Sequence, residues 1–245
     1  MTKTSIIRYI NSLNKYTGYV KEYRGKVFLP KYIHETLIGL LLSDGSLERS
    51  SLTSAARLSV IFGLKNAPYL LHLYNLFEPY VNNSPDVTSV YNKKTNSYNM
   101  IVKFKTQSLP VFLIYYKKFY FNLEGKYIKC LPENIEQLIT PIVLAHIIMG
   151  DGNFKKSDDI IRIYTNSFTK KDVERLAQAI TNKLNIKTKA VHDRNNQYML
   201  TIAKNQLEAV RSMILPYMHP CMLYKIGLIQ TYNTKFNYNN ILDEI

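Results

Sequence analysis

Asp44 and Asp151 are the residues whose placement in this chain asks for chemistry. Each closes an apolar, helix-length run: Leu37-Ile38-Gly39-Leu40-Leu41-Leu42-Ser43-Asp44-Gly45 and Leu144-Ala145-His146-Ile147-Ile148-Met149-Gly150-Asp151-Gly152. The trailing glycine is an ordinary helix stop, because the residue past a helix often takes a left-handed conformation. The aspartate is not ordinary. A carboxylate in the last turn sits at the negative end of the helix dipole, where cations are preferred. Two of them, at matching ends of matching helices, point to a positive species between them. A divalent cation bound by carboxylate oxygens is the obvious candidate. Without one, two neighbouring carboxylates repel and one pKa rises.

The elements that must position these residues repeat as well. In the first half, Arg57–Lys65 alternates apolar and polar side chains as a half-buried strand does, with Ile61 breaking the polar face. A helix is predicted over Ala67–Phe77, with Leu70, Leu73, Tyr74 and Phe77 on one stripe. A hairpin follows, Val87–Tyr91 and Tyr98–Lys105 around a polar turn, and a helix over Ser108–Tyr120 closes the half. The second half repeats the order. Ile160–Thr165 is a strand and Thr169–Leu184 a helix, with Thr169 or Ser167 as its cap. Ile186–His192 and Tyr198–Ala203 form a hairpin, and Lys204–Leu215 is a helix stopped by Pro216. The fold class is therefore α+β: two αββαββα repeats, each with a four-stranded antiparallel sheet. Residues 1–120 form one repeat, 138–245 the other, and 121–137, polar and basic, read as a connector.

Composition narrows the partner. The chain has 245 residues, and its 32 Lys and Arg against 18 Asp and Glu leave a net charge of +14. Such an excess suits a polyanion, and nucleic acid before a membrane surface or an acidic protein. The apolar stretches around Leu138–Met149 and Val111–Tyr116 fall short of a membrane span. Cys130 and Cys221 have no metal-ligand spacing and read as reduced intracellular thiols. The N-terminus lacks a signal-peptide core; Lys3, Arg8 and Lys15 read as a basic arm or a weak targeting segment. Abundant Lys, Asn, Ile and Tyr with no Trp suggests an AT-rich, organellar genome, mitochondrial for instance.

The two apolar Asp-Gly runs resemble the LAGLIDADG homing endonuclease family, in its single-chain, two-motif branch. The second copy keeps Leu144, Ala145, Asp151 and Gly152 of the signature; the first keeps Leu37, Gly39, Leu40, Asp44 and Gly45. The resemblance covers roughly residues 30 to 230. It implies a pseudo-twofold monomer whose signature helices pack side by side, through Gly39 and Ser43 on one and Ala145 and Gly150 on the other. Ile38 and His146 stand where the family has small residues, which predicts looser or offset packing; His146 reads as a packed histidine, not a metal ligand. The resemblance implies that Asp44 and Asp151, with the carbonyls of Ser43 and Gly150, bind two or three Mg²⁺ ions, Mn²⁺ or Ca²⁺ substituting in binding. It also places Lys129 and Lys225 beside the scissile phosphates, and Asn66 and Asn166 where a polar residue positions water.

On this reading the paired sheets form a saddle on double-stranded DNA, since a β ribbon fits the major groove. The candidate contacts are Arg57, Ser59, Lys65, Asn66, Lys103 and Lys105, with the turn residues Lys93, Lys94 and Asn96. In the second half they are Arg162, Tyr164, Asn166, Lys187, Lys189, Arg194 and Gln197. Many would touch only phosphate, giving affinity without specificity. The halves differ at nearly every such position, so the expected target is asymmetric and not a palindrome. The family resemblance implies a long target cut on both strands to leave 3′ overhangs. Two other readings stand beside this one: an RNA maturase of the same family, with host intron RNA as partner, and a catalytically silent DNA-binding protein.

Overall fold

The computed structural model describes residues 27–93 and 95–228. Lys94 and the basic residues Lys3, Arg8 and Lys15 lie outside the described residues. The order is helix α1 (Lys31–Leu41), strands β1 (Ser46–Glu48) and β2 (Arg57–Gly63), helix α2 (Ala67–Phe77), strands β3 (Asp86–Asn92) and β4 (Ser97–Lys105), and helix α3 (Pro110–Phe119). A hairpin of β5 (Tyr120–Leu123) and β6 (Lys126–Lys129) and a short helix α4 (Ile135–Leu138) join the halves. The second half runs α5 (Pro141–Asp151), β7 (Gly152–Lys155), β8 (Ile160–Tyr164), α6 (Lys170–Leu184), β9 (Thr188–His192), β10 (Tyr198–Ile202) and α7 (Leu207–Ile214). A 3₁₀ segment, Pro220–Ile226, follows.

Both four-stranded sheets are antiparallel and share one order, β1-β2-β4-β3 and β7-β8-β10-β9. Each buries one face. Leu47, Leu58, Val60, Val102 and Phe104 point inward from the first sheet; Ile161, Ile163, Leu200 and Ile202 do so from the second. Between them lie α1 and α5. Every residue of α5 from Val143 to Met149 is buried, as its all-round apolar sequence requires. Thr140 caps α5, its hydroxyl accepting from Val143 N at 3.3 Å, and Pro141 takes the first helical position. No helix among the described residues is long and apolar enough to cross a membrane.

Four expectations need correction. Gly45 and Gly152 are not left-handed stops: among the described residues the positive-φ glycines are Gly125 and Gly227, and Gly152 has φ −73°. They serve close packing instead, since a Cβ on Gly45 would lie 2.9 Å from the Leu40 carbonyl oxygen and one on Gly152 would strike that of Ile148. The strand from Arg57 ends at Gly63, and Leu64–Asn66 is a 3₁₀ turn. The connector, expected to lie apart from the core, contributes to it: it holds the β5–β6 hairpin and buries Leu131 and Ile135. The predicted helix Lys204–Leu215 is α only over Leu207–Ile214, and Pro216 opens a further 3₁₀ turn, Leu215–Tyr217, instead of stopping the chain.

Candidate active site and nucleic-acid interface

The signature helices touch through glycines. A Cβ on Gly39 would lie 2.5 Å from the His146 Cβ and 2.9 Å from the Val143 carbonyl oxygen; one on Gly150 would lie 2.5 Å from the Ser43 hydroxyl. The bulky His146 does not hold the helices apart, because it seats against Gly39. It is fully buried, its Nε2 3.1 Å from the Thr36 hydroxyl and its Nδ1 2.7 Å from the Tyr69 hydroxyl. Burial pushes its pKa down to about 3, so it is a neutral packing residue.

The close approach at Gly150 brings the two helix ends together. The ideal Cβ position of Gly150 is 3.4 Å from Asp44 Oδ2, which sets the Asp44 carboxylate against the end of the opposite helix. Asp151 is partly covered, while Asp44 opens to solvent at the rim. Desolvation by the surrounding protein raises both carboxyls. For Asp151 the negative charge of Asp44 adds to it, and the value reaches about 7.

Two lysines reach the same place. Lys129 Nζ, at the end of β6, donates to the carbonyls of Ser43 (3.0 Å) and Gly45 (2.9 Å). Lys225 Nζ, from the 3₁₀ segment, donates to the carbonyl of Gly150. Burial lowers both, Lys129 to about 8, against the pull of the aspartates. The pairing crosses between helices. Lys225 is the stronger lysine partner of Asp44 and Lys129 that of Asp151, and each lysine in turn feels that aspartate most. One cluster is thus Asp44, Gly150 O and Lys225; the other is Asp151, Ser43 O and Lys129. Lys65, placed by sequence on a base-reading strand, instead sits exposed on the turn after β2, where its charge acts on Lys225.

The outer candidates divide unevenly. On the open face of the first sheet, Arg57 and Lys105 meet Glu48 (3.1 and 2.9 Å), and Lys103 meets Asp86 (3.1 Å). Ser59 does not reach the surface: it is 1% exposed, in mid-sheet between Ser46 and Lys105 on the neighbouring strands. Lys93 and Asn96 are exposed at the β3–β4 turn. In the second sheet, Arg162 donates to Asn153 Oδ1 at 2.9 Å and lies over the Tyr164 ring. Lys187 and Lys189 line a shallow groove with Thr201 and Gln206. Arg194 and Gln197 form the β9–β10 turn, Arg194 beside Asp193. Asn66 ends the 3₁₀ turn before α2, and Asn166 is exposed in the turn before α6. Sequence reasoning missed Glu48, Asp86 and Asn153; the first two carry the wrong sign for a polyanion site, and the strands bearing Glu48 and Asn153 are too short to show alternation.

A model of the LAGLIDADG DNA endonuclease family matches residues 34–210. The chain belongs to that family. It is 29% identical over 197 residues to cytochrome b mRNA maturase bI2 of Saccharomyces cerevisiae, covering 78% of this chain and 46% of that protein, so it spans about half the maturase's length. It is 27% identical over 203 residues to DNA endonuclease I-ChuI of Chlamydomonas applanata, covering 79% of this chain and 93% of that one. The structure of homing endonuclease I-WcaI bound to its DNA recognition sequence superposes with a TM-score of 0.75 at 22% identity, over 94% of this chain and 99% of that one. That likeness establishes the LAGLIDADG fold, with its mixed helices and antiparallel four-stranded sheets.

Proposed function

We propose that this LAGLIDADG chain is a monomeric, site-specific DNA endonuclease that breaks both strands of a long asymmetric target with divalent metal, leaving 3′ overhangs. The observation that carries the reading is the crossed pair of clusters, each with one carboxylate, one backbone carbonyl and one lysine. The donor set fits Mg²⁺, which takes hard oxygen ligands. Asp44 with the Gly150 carbonyl, and Asp151 with the Ser43 carbonyl, would hold it. Bound metal supplies an activated water and charge stabilisation at the leaving 3′ oxygen.

The residues of the chain do the rest. The carboxylates, crowded and partly desolvated, favour a cation that relieves their repulsion. Lys129 and Lys225 present ammonium groups within reach of phosphate oxygens and stabilise charge that develops there. The sheets, basic on their open faces, set the register of the duplex. A cytochrome b maturase and a probable intron-encoded endonuclease among the relatives support an intron-borne, organellar gene, whose insertion point would mark the target. The maturase relative makes assistance of intron splicing the second reading, tested by specific binding to the host intron RNA with enhanced splicing.

The test is cleavage of the uninterrupted host sequence with Mg²⁺ by wild type and Asp44→Asn. The expected result is loss of double-strand cleavage by about 10³-fold or more, as for removal of a group that acts directly in the transition state. Binding should survive or tighten, because repulsion falls. Wild-type cleavage rates in Asp44→Asn would sink the assignment.

A further inference from the structure

Glu48 is an acid set between two cations, Arg57 and Lys105, on the open face of the first sheet. It follows Asp44 by four residues and ends β1, directly opposite Arg57 in register. Leu47 and Leu58 turn into the core beside it, so Glu48 and Arg57 stand on the open face. Its Oε2 accepts from Arg57 Nε at 3.1 Å and Lys105 Nζ at 2.9 Å, with Arg57 Nη2 also at 3.1 Å. Two strands, β2 and β4, thereby converge on one carboxylate oxygen. The side chain keeps about a third of its surface, 35%. Burial alone would raise the carboxyl, but Lys105 and Arg57 hold it below its ordinary value, so it is ionised at neutral pH.

Stability is a weak reason for this arrangement, since half-exposed ion pairs contribute little. Affinity for a polyanion argues against it, because the carboxylate cancels charge that would meet phosphate. The second sheet places its acids differently: strands β7 to β10 contain no Asp or Glu, Asp158, Asp159 and Asp193 sit in the turns, and Arg162 donates to the neutral Asn153. What a fixed carboxylate does well on a groove-facing strand is accept from an exocyclic amino group. Cytosine N4 offers that donor in the major groove, and phosphates offer none. A carboxylate has acceptor capacity on both oxygens, and all three cationic contacts above fall on Oε2.

We propose that Glu48 is a specificity-determining residue that reads a cytosine in the half-site under the first sheet, with Arg57 and Lys105 as the positioning residues that fix its carboxylate. The proposal rests on the DNA-binding reading above. The experiment is a base-preference profile for every position of the target, measured by equilibrium binding in Ca²⁺ for wild type, Glu48→Ala and Glu48→Gln, together with the salt dependence of binding to unrelated DNA. Wild type should prefer cytosine at one position of that half-site by roughly 5- to 150-fold. Glu48→Ala should lose that preference alone while binding unrelated DNA more tightly. Glu48→Gln, nearly isosteric, should move the preference at the same position towards adenine, which offers a glutamine a donor and an acceptor. Profiles unchanged at every position, with only overall affinity altered, would overturn the proposal. So would loss of a preference for any base other than cytosine. A wild type that binds all sequences alike would overturn the DNA-target reading itself, a result that the Glu48 variants alone could not produce.

Discussion

The two halves of this molecule keep the same chemistry at the centre and abandon it at the edges. At the helix ends each half supplies an Asp, a carbonyl and a Lys, but the lysines arrive by unrelated routes. Lys129 ends a β-hairpin whose Tyr120 hydroxyl accepts from Leu47 N at 3.0 Å, anchoring it to β1. Lys225 sits in a 3₁₀ turn pinned by Arg211, whose Nε donates to the Ile226 carbonyl at 2.9 Å. That turn ends at Gly227, where φ is +72° and a Cβ would strike the Phe154 ring, so only glycine suits the place. Each route fastens onto the strand that follows the signature aspartate, β1 or β7. Equivalence is thus retained at the positions of charged atoms, and the backbone that delivers them is free to diverge.

The sheets differ more. On the first, carboxylates restrain Arg57, Lys105 and Lys103; on the second, Arg162 donates to Asn153 and lies over the Tyr164 ring, and Asp158 feels its charge without a direct bond. If each sheet reads its own half-site, Arg57→Ala should relax base preference in one half-site only and Arg162→Ala in the other. A good Arg–guanine pair is worth about 1–3 kcal/mol. The Arg162 effect should be the larger, because its guanidinium is hydrogen-bonded to a neutral amide where that of Arg57 is bonded to a carboxylate. Full-site preference profiles check this; both substitutions altering one half-site would end the division of labour.

A smaller effect should appear in stability. The Asp151 carboxyl is raised to about 7 in the folded protein, above the ordinary carboxylate value. A raised folded-state pKa means that the group favours folding below about pH 4 and that this support is lost as pH rises through 7. In metal-free buffer at pH 8, Asp151→Asn should therefore raise Tm by several degrees, at roughly 2–4 °C per kcal/mol for a chain of this size. Added Ca²⁺ should narrow the gap by stabilising wild type more than the variant, which keeps only the Asp44 cluster. An unchanged or lower Tm for the variant would mean that the carboxylates are not in conflict.

Much of this was legible in the chain because apolar periodicity reports burial directly. The α2 boundaries, the Thr169 cap and the hairpins of both sheets follow from it, and so do the paired aspartates, since a carboxylate at a helix C-terminus violates local electrostatics. What stayed hidden depends on tertiary neighbours. Strands of three or four residues, such as β1 and β7, carry no measurable alternation. Ser59 alternates like a surface residue, yet neighbouring strands bury it. Gly45 and Gly152 are a local case: a Cβ at either would meet the backbone of the preceding turn, at Leu40 or Ile148, and that path is not written in the residue types. The crossing of each lysine to the opposite aspartate depends on the helix pair together with the two segments that deliver the lysines, and no linear pattern encodes it.

That crossing is most directly tested by strand-resolved, single-turnover cleavage of a target carrying a different label on each strand, comparing wild type, Lys129→Met and Lys225→Met at saturating enzyme. Lys225→Met should slow one strand by about 10²–10³-fold, the size expected for losing a preorganised charge at a reacting phosphate. Lys129→Met should slow the other strand to a similar degree, so that the two variants accumulate complementary nicked products. Both lysine variants slowing the same strand, or each slowing both strands equally, would contradict two separate centres with one lysine apiece.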